Sequence, residues 1–181
     1  MKIVTCQFEP HGQRILDIFN QAIATSTALY DYEPRTLRAI KNWFEVKAEF
    51  SYPVLGMEDH QGILRGFASY GTFRNYAANK YTVEHSVYVD SEFRDQGIGS
   101  KLLVELIRCA QQQNYHTMIG AIDAENVVSI RLHQSLGFSR CGRIEQVGFK
   151  FGRWLDLEFY QLILATPEFP TETSQHPPGQ S

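Results

Sequence analysis

The chain has 181 residues and a mass of 20.8 kDa, within the roughly 100 to 200 residues of one domain and long enough to take about 70% of its unfolded surface out of water. Its 43% hydrophobic and 13% aromatic residues supply a core without staples, and Cys6, Cys109 and Cys141 are odd in number and far apart, with no metal-ligand or disulfide spacing. A formal charge of -3 and a pI near 6.1 exclude the positive field that gathers nucleic acid, and with no apolar leader before Glu9 and Pro10 and no run of about 18 uncharged residues, a cytoplasmic protein with no membrane partner is expected.

Residues 2–9 are predicted as a strand, and 13–28 as a helix on the spacing of Ile15, Ile18, Phe19, Ala22 and Ile23. Pro34 suits the first turn of a second helix with Leu37, Ile40, Trp43 and Phe44 as its apolar face. Residues 54–58 and 64–70 form a hairpin around the Asp59-His60-Gln61-Gly62 turn, and 81–89 a third strand, giving an antiparallel meander. The period then changes: Ile98, Leu102, Leu103, Leu106, Ile107 and Ala110 define the strongest helix of the chain. A short strand at 116–122, a helix at 126–136 closed by Gly137 as a left-handed cap, and a long strand at 154–164 follow. Residues 166–181 are proline-rich with little to bury and are expected as a disordered tail after a domain of residues 1–165. The strand-helix-strand-helix unit at 81–136 requires one parallel pairing in an otherwise antiparallel sheet, so the fold class is mixed α/β (α+β).

The most specific local signal is Arg94-x-x-Gly97-x-Gly99 between a strand and that helix. Glycines there let backbone approach a ligand, and the first helical turn offers unpaired N–H groups and partial positive charge to a phosphate. An ordinary Gly-rich turn is the plainer alternative. The dinucleotide fingerprint wants a third glycine where Leu102 stands, and a P-loop wants Gly-Lys-Ser/Thr where Gly99-Ser100-Lys101 stands. In the preceding strand, alternation puts Glu84, Ser86 and Tyr88 on one face and Val83, His85, Val87 and Val89 on the other. A carboxylate so placed is either a general base with a raised pKa or one half of a cross-strand ion pair. His85 is equally a core histidine or a substrate contact. Asn126, Ser129 and His133 form a polar stripe on the later helix, facing a ligand or, with Asn126 as a plain N-cap, facing water.

Taken together, these residues resemble the GNAT N-acetyltransferase superfamily, and within it the phosphinothricin and methionine sulfoximine acetyltransferase branch. The motifs that carry the resemblance are Arg94-x-x-Gly97-x-Gly99, Thr82-Val83-Glu84-His85-Ser86-Val87-Tyr88-Val89, Leu132-His133-Gln134-Ser135-Leu136-Gly137-Phe138, and residues 147–157, VGFKFGRWLDL, in family order. It runs from about residue 3 to residue 164 and implies a GNAT fold whose splayed parallel strand pair holds acetyl-CoA, with no metal. By position, Val87, Tyr88 and Val89 would run along the pantetheine arm. Arg94, Asp95, Gln96, Gly97, Ile98, Gly99 and Ser100 would wrap the pyrophosphate, and Asn126, Ser129 and Ser135 would hold the arm from the later helix. Glu84 stands where the branch places its general base, with Arg74, Asn75, Tyr76, His85 and Ser86 lining the acceptor pocket and the fork of Arg74 suited to a carboxylate. His133 occupies the position at which many members carry a Tyr that protonates the leaving thiolate, either as that acid or as a CoA contact. The implied activity is acetyl transfer to the α-amine of a small amino-acid-like molecule by a homodimer. Acetylation of a peptide N-terminus or another metabolite amine, and a non-catalytic acetyl-CoA sensor, are the alternatives.

Overall fold

The structure is a computed structural model that describes residues 1–172. A four-residue strand, β1 (Lys2–Thr5), leads almost at once into α1 (Phe8–Thr25), so the helix starts ahead of residue 13 and the strand ends short of residue 9. Pro10 is the cause: it lies in the first turn, where a missing N–H costs nothing and the fixed φ suits a helix, beside Glu9, whose charge complements the helix dipole. The ring of His11 fixes this start by accepting from the Gln7 N–H at 3.0 Å and reaching Glu58 at 3.1 Å. All five apolar residues of the helical spacing are buried. In α2 (Leu37–Glu49), Thr36 is the N-cap and accepts from the Ala39 N–H at 3.2 Å, which leaves Pro34 ahead of the helix instead of inside its first turn.

The meander is β2 (Val54–Glu58), β3 (Leu64–Thr72) and β4 (Thr82–Val89). Its first turn is tied by Asp59, whose side chain accepts from the N–H groups of Gln61 and Ile63 at 2.8 and 3.0 Å, with Gly62 at φ +76°. α3 (Ile98–Gln112), β5 (Thr117–Asp123) and α4 (Val127–Ser135) follow as expected. Gly137 adopts φ +87°, and the N–H groups of Gly137 and Phe138 return to the carbonyls of Gln134 and His133, a Schellman ending. β6 (Ser139–Lys150) and β7 (Arg153–Ile163) close the fold as a long hairpin.

The seven strands lie in the order β1-β2-β3-β4-β5-β7-β6, antiparallel everywhere except between β4 and β5. On one face of the sheet, α1 and α2 cover a core that includes Ile15, Phe19, Ile40 and Phe67. The other face packs Leu102, Leu103 and Leu106 of α3 against Tyr70, Val83 and Met118. Phe19 meets Trp43, Phe67 and Tyr88 at centroid distances of 5.8, 4.8 and 5.0 Å, so one ring ties both helices to the centre of the sheet. Of the stretch expected as a tail, Thr166 donates to the Tyr115 carbonyl at 2.6 Å and the Thr171 N–H reaches the Tyr81 hydroxyl at 3.1 Å, so the chain stays bonded to the body past residue 165. Residues 173–181 lie outside the described residues.

Candidate active site

The parallel pairing of β4 with β5 stops at His85↔Gly120. Beyond it, β4 continues along β3 as far as Gly66↔Val89, and β5 continues along β7 as far as Asp123↔Leu157. The two central strands therefore part, and a cleft of about 1090 Å³ opens between them, walled by the 25–30 loop, the Gly-rich loop, α4 and the start of β7.

Glu84 stands at the point of parting and lines this cleft. Its register neighbours are Gly71 on β3 and Ile119 on β5, neither of which carries charge, and among the described residues its carboxylate makes no hydrogen bond or ion pair. The cross-strand ion pair is thus not formed. Burial pushes the carboxyl above its ordinary range, because removing water penalises the charged form with no compensating cation. An unsatisfied, half-buried carboxylate of raised basicity on a ligand-sized cleft can accept a proton from a bound ligand.

On the opposite face of β4, His85 lies under α4. Its Nε2 meets Nε2 of His133 at 3.1 Å, and the rings stack with 19° between planes. Nδ1 of His133 approaches the Ser129 carbonyl at 2.7 Å and must donate there, so its Nε2 accepts and His85 donates. Burial, with a smaller contribution from the neighbouring His133 ring, lowers the pKa of His85 to about 3, and burial lowers that of His133 as well. The pair is neutral at physiological pH. Two features admit it: a Cβ at Gly120 would stand 3.0 Å from both Nε2 atoms, and the Gly137 turn delivers Phe138 edge-on to both rings.

The Gly-rich loop has Asp95 at φ +61° and Gly97 at φ +73°, and Gly97 opens α3 without a side-chain cap. The first-turn N–H groups, from Ile98 onward, are therefore left for a ligand, and alternating backbone hands aim them together. A Cβ on Gly99 would project to 3.5 Å from Leu132 and 3.8 Å from Val87 and Val89, so this glycine holds open the floor between β4 and α4. A cleft that ends at a helix N-terminus suits a molecule carrying phosphate at one end. The donor set fits acetyl-CoA.

Glu84, His85, Ser86, Val87, Tyr88, Val89, Arg94, Asp95, Gly97, Ile98, Gly99, Asn126, Ser129 and His133 all line the cleft. Asn126 does both things the sequence allowed, accepting from the Ser129 N–H at 3.1 Å as an N-cap while facing the cleft. Gln96, Ser100 and Ser135 are not among the lining residues, and the Ser135 hydroxyl is turned back to the Leu132 carbonyl at 2.7 Å. Arg74, Asn75 and Tyr76 are exposed on the loop after β3 and also stand outside the cleft wall. Lining residues to which the sequence reading gave no place in the site include the stretch 25–30, Asp123 and, from the 147–157 motif, Phe151, Arg153 and Leu157. No local pattern marks the 25–30 stretch, which the fold brings to the cleft from near the start of the chain. Among the described residues no group of His, Cys, Asp or Glu could hold a metal ion, and no helix is long and apolar enough to cross a membrane.

The Acetyltransferase (GNAT) family matches residues 15–138. The chain belongs to this family of acyltransferases. It is 45% identical over 150 residues to the L-methionine sulfoximine/L-methionine sulfone acetyltransferase of Pseudomonas aeruginosa, covering 83% of this chain and 87% of that one. Over the same length and coverage it is 41% identical to an L-amino acid N-acyltransferase of Escherichia coli. A GNAT phosphinothricin acetyltransferase from Sinorhizobium meliloti, solved in complex with acetyl-CoA, superimposes with a TM-score of 0.90 at 31% identity over 95% of this chain and 94% of that one.

Proposed function

We propose that this chain transfers acetyl from acetyl-CoA to the α-amine of a small amino-acid-like acceptor such as methionine sulfoximine, methionine sulfone or phosphinothricin, and so detoxifies it. The observation that carries the reading is Glu84, unpaired at the mouth of the strand fork with its carboxyl raised by burial. An ammonium has no lone pair for attack, and Glu84 takes its proton, directly or through one water. The unpaired β4 edge from Val87 to Val89 then holds the thioester arm and offers N–H groups to the charge that develops on its oxygen. Arg94 and the first-turn N–H groups of α3 hold the pyrophosphate, with Asn126 and Ser129 along the arm, while Gln96, Ser100 and Ser135 serve its outer reach. A shared cleft contributes to rate by orienting both reactants.

For His133 the geometry favours the contact role over the acid. Both ring nitrogens are engaged and the ring is held neutral, so it has no ready proton for a thiolate. Arg74, Asn75 and Tyr76 form the outer rim of the acceptor site, since their loop leaves β3 just past Gly71, the register partner of Glu84. Ser86, on the face of Glu84, completes that site. We assign the protein to the cytoplasm as a homodimer built on the exposed apolar face of the β6–β7 hairpin, where Phe149, Phe151 and Trp154 are 47%, 57% and 60% accessible.

The test is thiol release from acetyl-CoA with L-methionine sulfoximine, L-methionine sulfone, L-phosphinothricin, the ordinary L-amino acids and short peptides, beside a no-acceptor control. Saturable release with the first three supports the reading. Preference for peptides refutes the acceptor, and acetyl-CoA binding without release to any acceptor refutes the enzyme.

A further inference from the structure

One buried charge in the molecule has no place in the chemistry above. Lys150, at the end of β6, is 5% accessible. Its ammonium donates to three backbone carbonyls, Ile23 at 2.7 Å, Ser26 at 3.0 Å and Leu29 at 2.7 Å, and among the described residues no carboxylate lies within ion-pair range of it. Three N–H groups thus meet three acceptors, and none is left over. Those acceptors are where α1 ends: the last turn of α1 carries no basic residue, and its carbonyls, with the negative end of the helix dipole, are served instead by a lysine more than a hundred positions later.

The segment so held is not remote from the site. Residues 25–30 line the same cleft as Glu84. Two further contacts come from the same hairpin tip. The Tyr32 hydroxyl donates to the Phe149 carbonyl at 2.6 Å, and the ring of Tyr30 lies so close over Gly148 that a Cβ there would be 2.9 Å from it. The tip reaches across because β6 is bulged: pairing with β7 jumps from Ile144↔Leu157 to Gly148↔Leu155. Asp156 stabilises the bulge by accepting from the Gln146 N–H at 2.7 Å and pairing with Arg143. Such a bulge bends a strand and re-aims its end. Here it turns Lys150, from the outermost strand, onto a loop that lines the cleft.

We propose that Lys150 is a positioning residue for the acceptor end of the cleft: by seating its ammonium on the three carbonyls it fixes the 25–30 wall, and so sets the fit of the acceptor without touching acetyl-CoA. The inference rests on the transferase reading for the identity of the acceptor. It separates the two ligands because the clamp holds only the 25–30 side, whereas the Gly-rich loop and the β4 edge are built from residues the hairpin tip does not bond.

The test is Lys150→Met, which keeps the stem and removes the three donors, assayed well below the melting temperatures of both proteins. Acceptor KM for methionine sulfoximine is expected to rise about tenfold or more, the loss a few hydrogen bonds to a charged group account for, while the acetyl-CoA Kd by calorimetry stays within about twofold. Amide exchange at 26–30 accelerates while that of α3 does not. An unmoved acceptor KM, or KM and Kd rising together, overturns the proposal. If Lys150→Met does not fold, Tyr32→Phe, at a side chain 70% accessible, removes one tether of the same loop. It should raise acceptor KM a few-fold at constant Kd, and an unchanged KM refutes the clamp. Wild-type protein that acetylates none of the acceptors defeats the functional reading and this inference with it, whereas wild-type turnover with unmoved variants defeats the inference alone.

Discussion

Replacing Glu84 by Gln is expected to move activity and stability in opposite directions. A positioned general base contributes about 10²- to 10⁴-fold, so kcat at neutral pH should fall by at least about a hundredfold, while acetyl-CoA affinity, set by α3 and the β4 edge, is unchanged. The stability change follows from linkage. Burial raises the folded-state pKa of Glu84 above its unfolded value, so the favourable difference is present only at low pH and disappears as pH rises through the folded pKa. At pH 7 the ionised carboxylate therefore costs the fold free energy, and neutral Gln relieves it. Each pKa unit is worth about 1.4 kcal/mol, reduced by the access Glu84 keeps to water, and about 1 kcal/mol moves Tm by roughly 2 to 4 °C in a chain of this size. A Tm gain at pH 7 that vanishes near pH 4 is the expected outcome by scanning calorimetry. In wild type the acid limb of kcat/KM should lie above the ordinary carboxylate range. A variant with intact kcat, or one that melts lower than wild type at pH 7, would refute the assignment of an unpaired carboxylate to catalysis.

Other expectations test separate parts of the same frame. Gly120→Ala places a methyl 3.0 Å from both histidine Nε2 atoms and should cost about 1 to 3 kcal/mol through overpacking and the broken His85–His133 bond; thermal melting at wild-type values would show that the pair yields freely. The ammonium of Lys47, whose pKa burial lowers to about 8, donates to the Tyr70 carbonyl at 2.6 Å. The folded chain therefore binds fewer protons than the unfolded one between pH 8 and 10.5, and Lys47→Met should gain on wild type at pH 7 and lose up to about 3 kcal/mol of that gain by pH 10.5. Parallel stability curves would contradict this. Burial raises the Cys6 thiol to about 12 while Cys141 is exposed, so a disulfide reagent at pH 8 should label Cys141 first and Cys6 only on unfolding, as peptide mapping can check.

What could be read from the sequence follows the physics of each segment. The spacing of Ile98, Leu102, Leu103, Leu106 and Ala110 is unbroken and all five are buried, so α3 and the loop before it were legible in place. Alternation in β4 likewise sorted Glu84 from His85. The start of α1 was obscured because Pro10 marks a break by propensity but a first turn by geometry. β6 was obscured because most of its residues are exposed and its period is interrupted by the bulge. The same bulge explains why the 25–30 wall was invisible: Thr25, Ser26, Thr27 and Ala28 carry no motif, and their place in the site is set by a lysine from the opposite edge of the sheet. The His85–His133 contact depends on a glycine and a helix ending that are each ordinary in isolation.

The parting of β4 and β5 leaves unpaired backbone at the centre of the sheet, not at its rim. Such an edge at a rim offers a template to any other chain's strand and is a route to aggregation. Here it is recessed, with α3 and α4 close enough that a Cβ on Gly99 would touch Leu132 at 3.5 Å. The edge that would pair with another strand lines the cleft instead. The defect that would make a sheet sticky at its border thus opens a ligand-sized cleft in its interior.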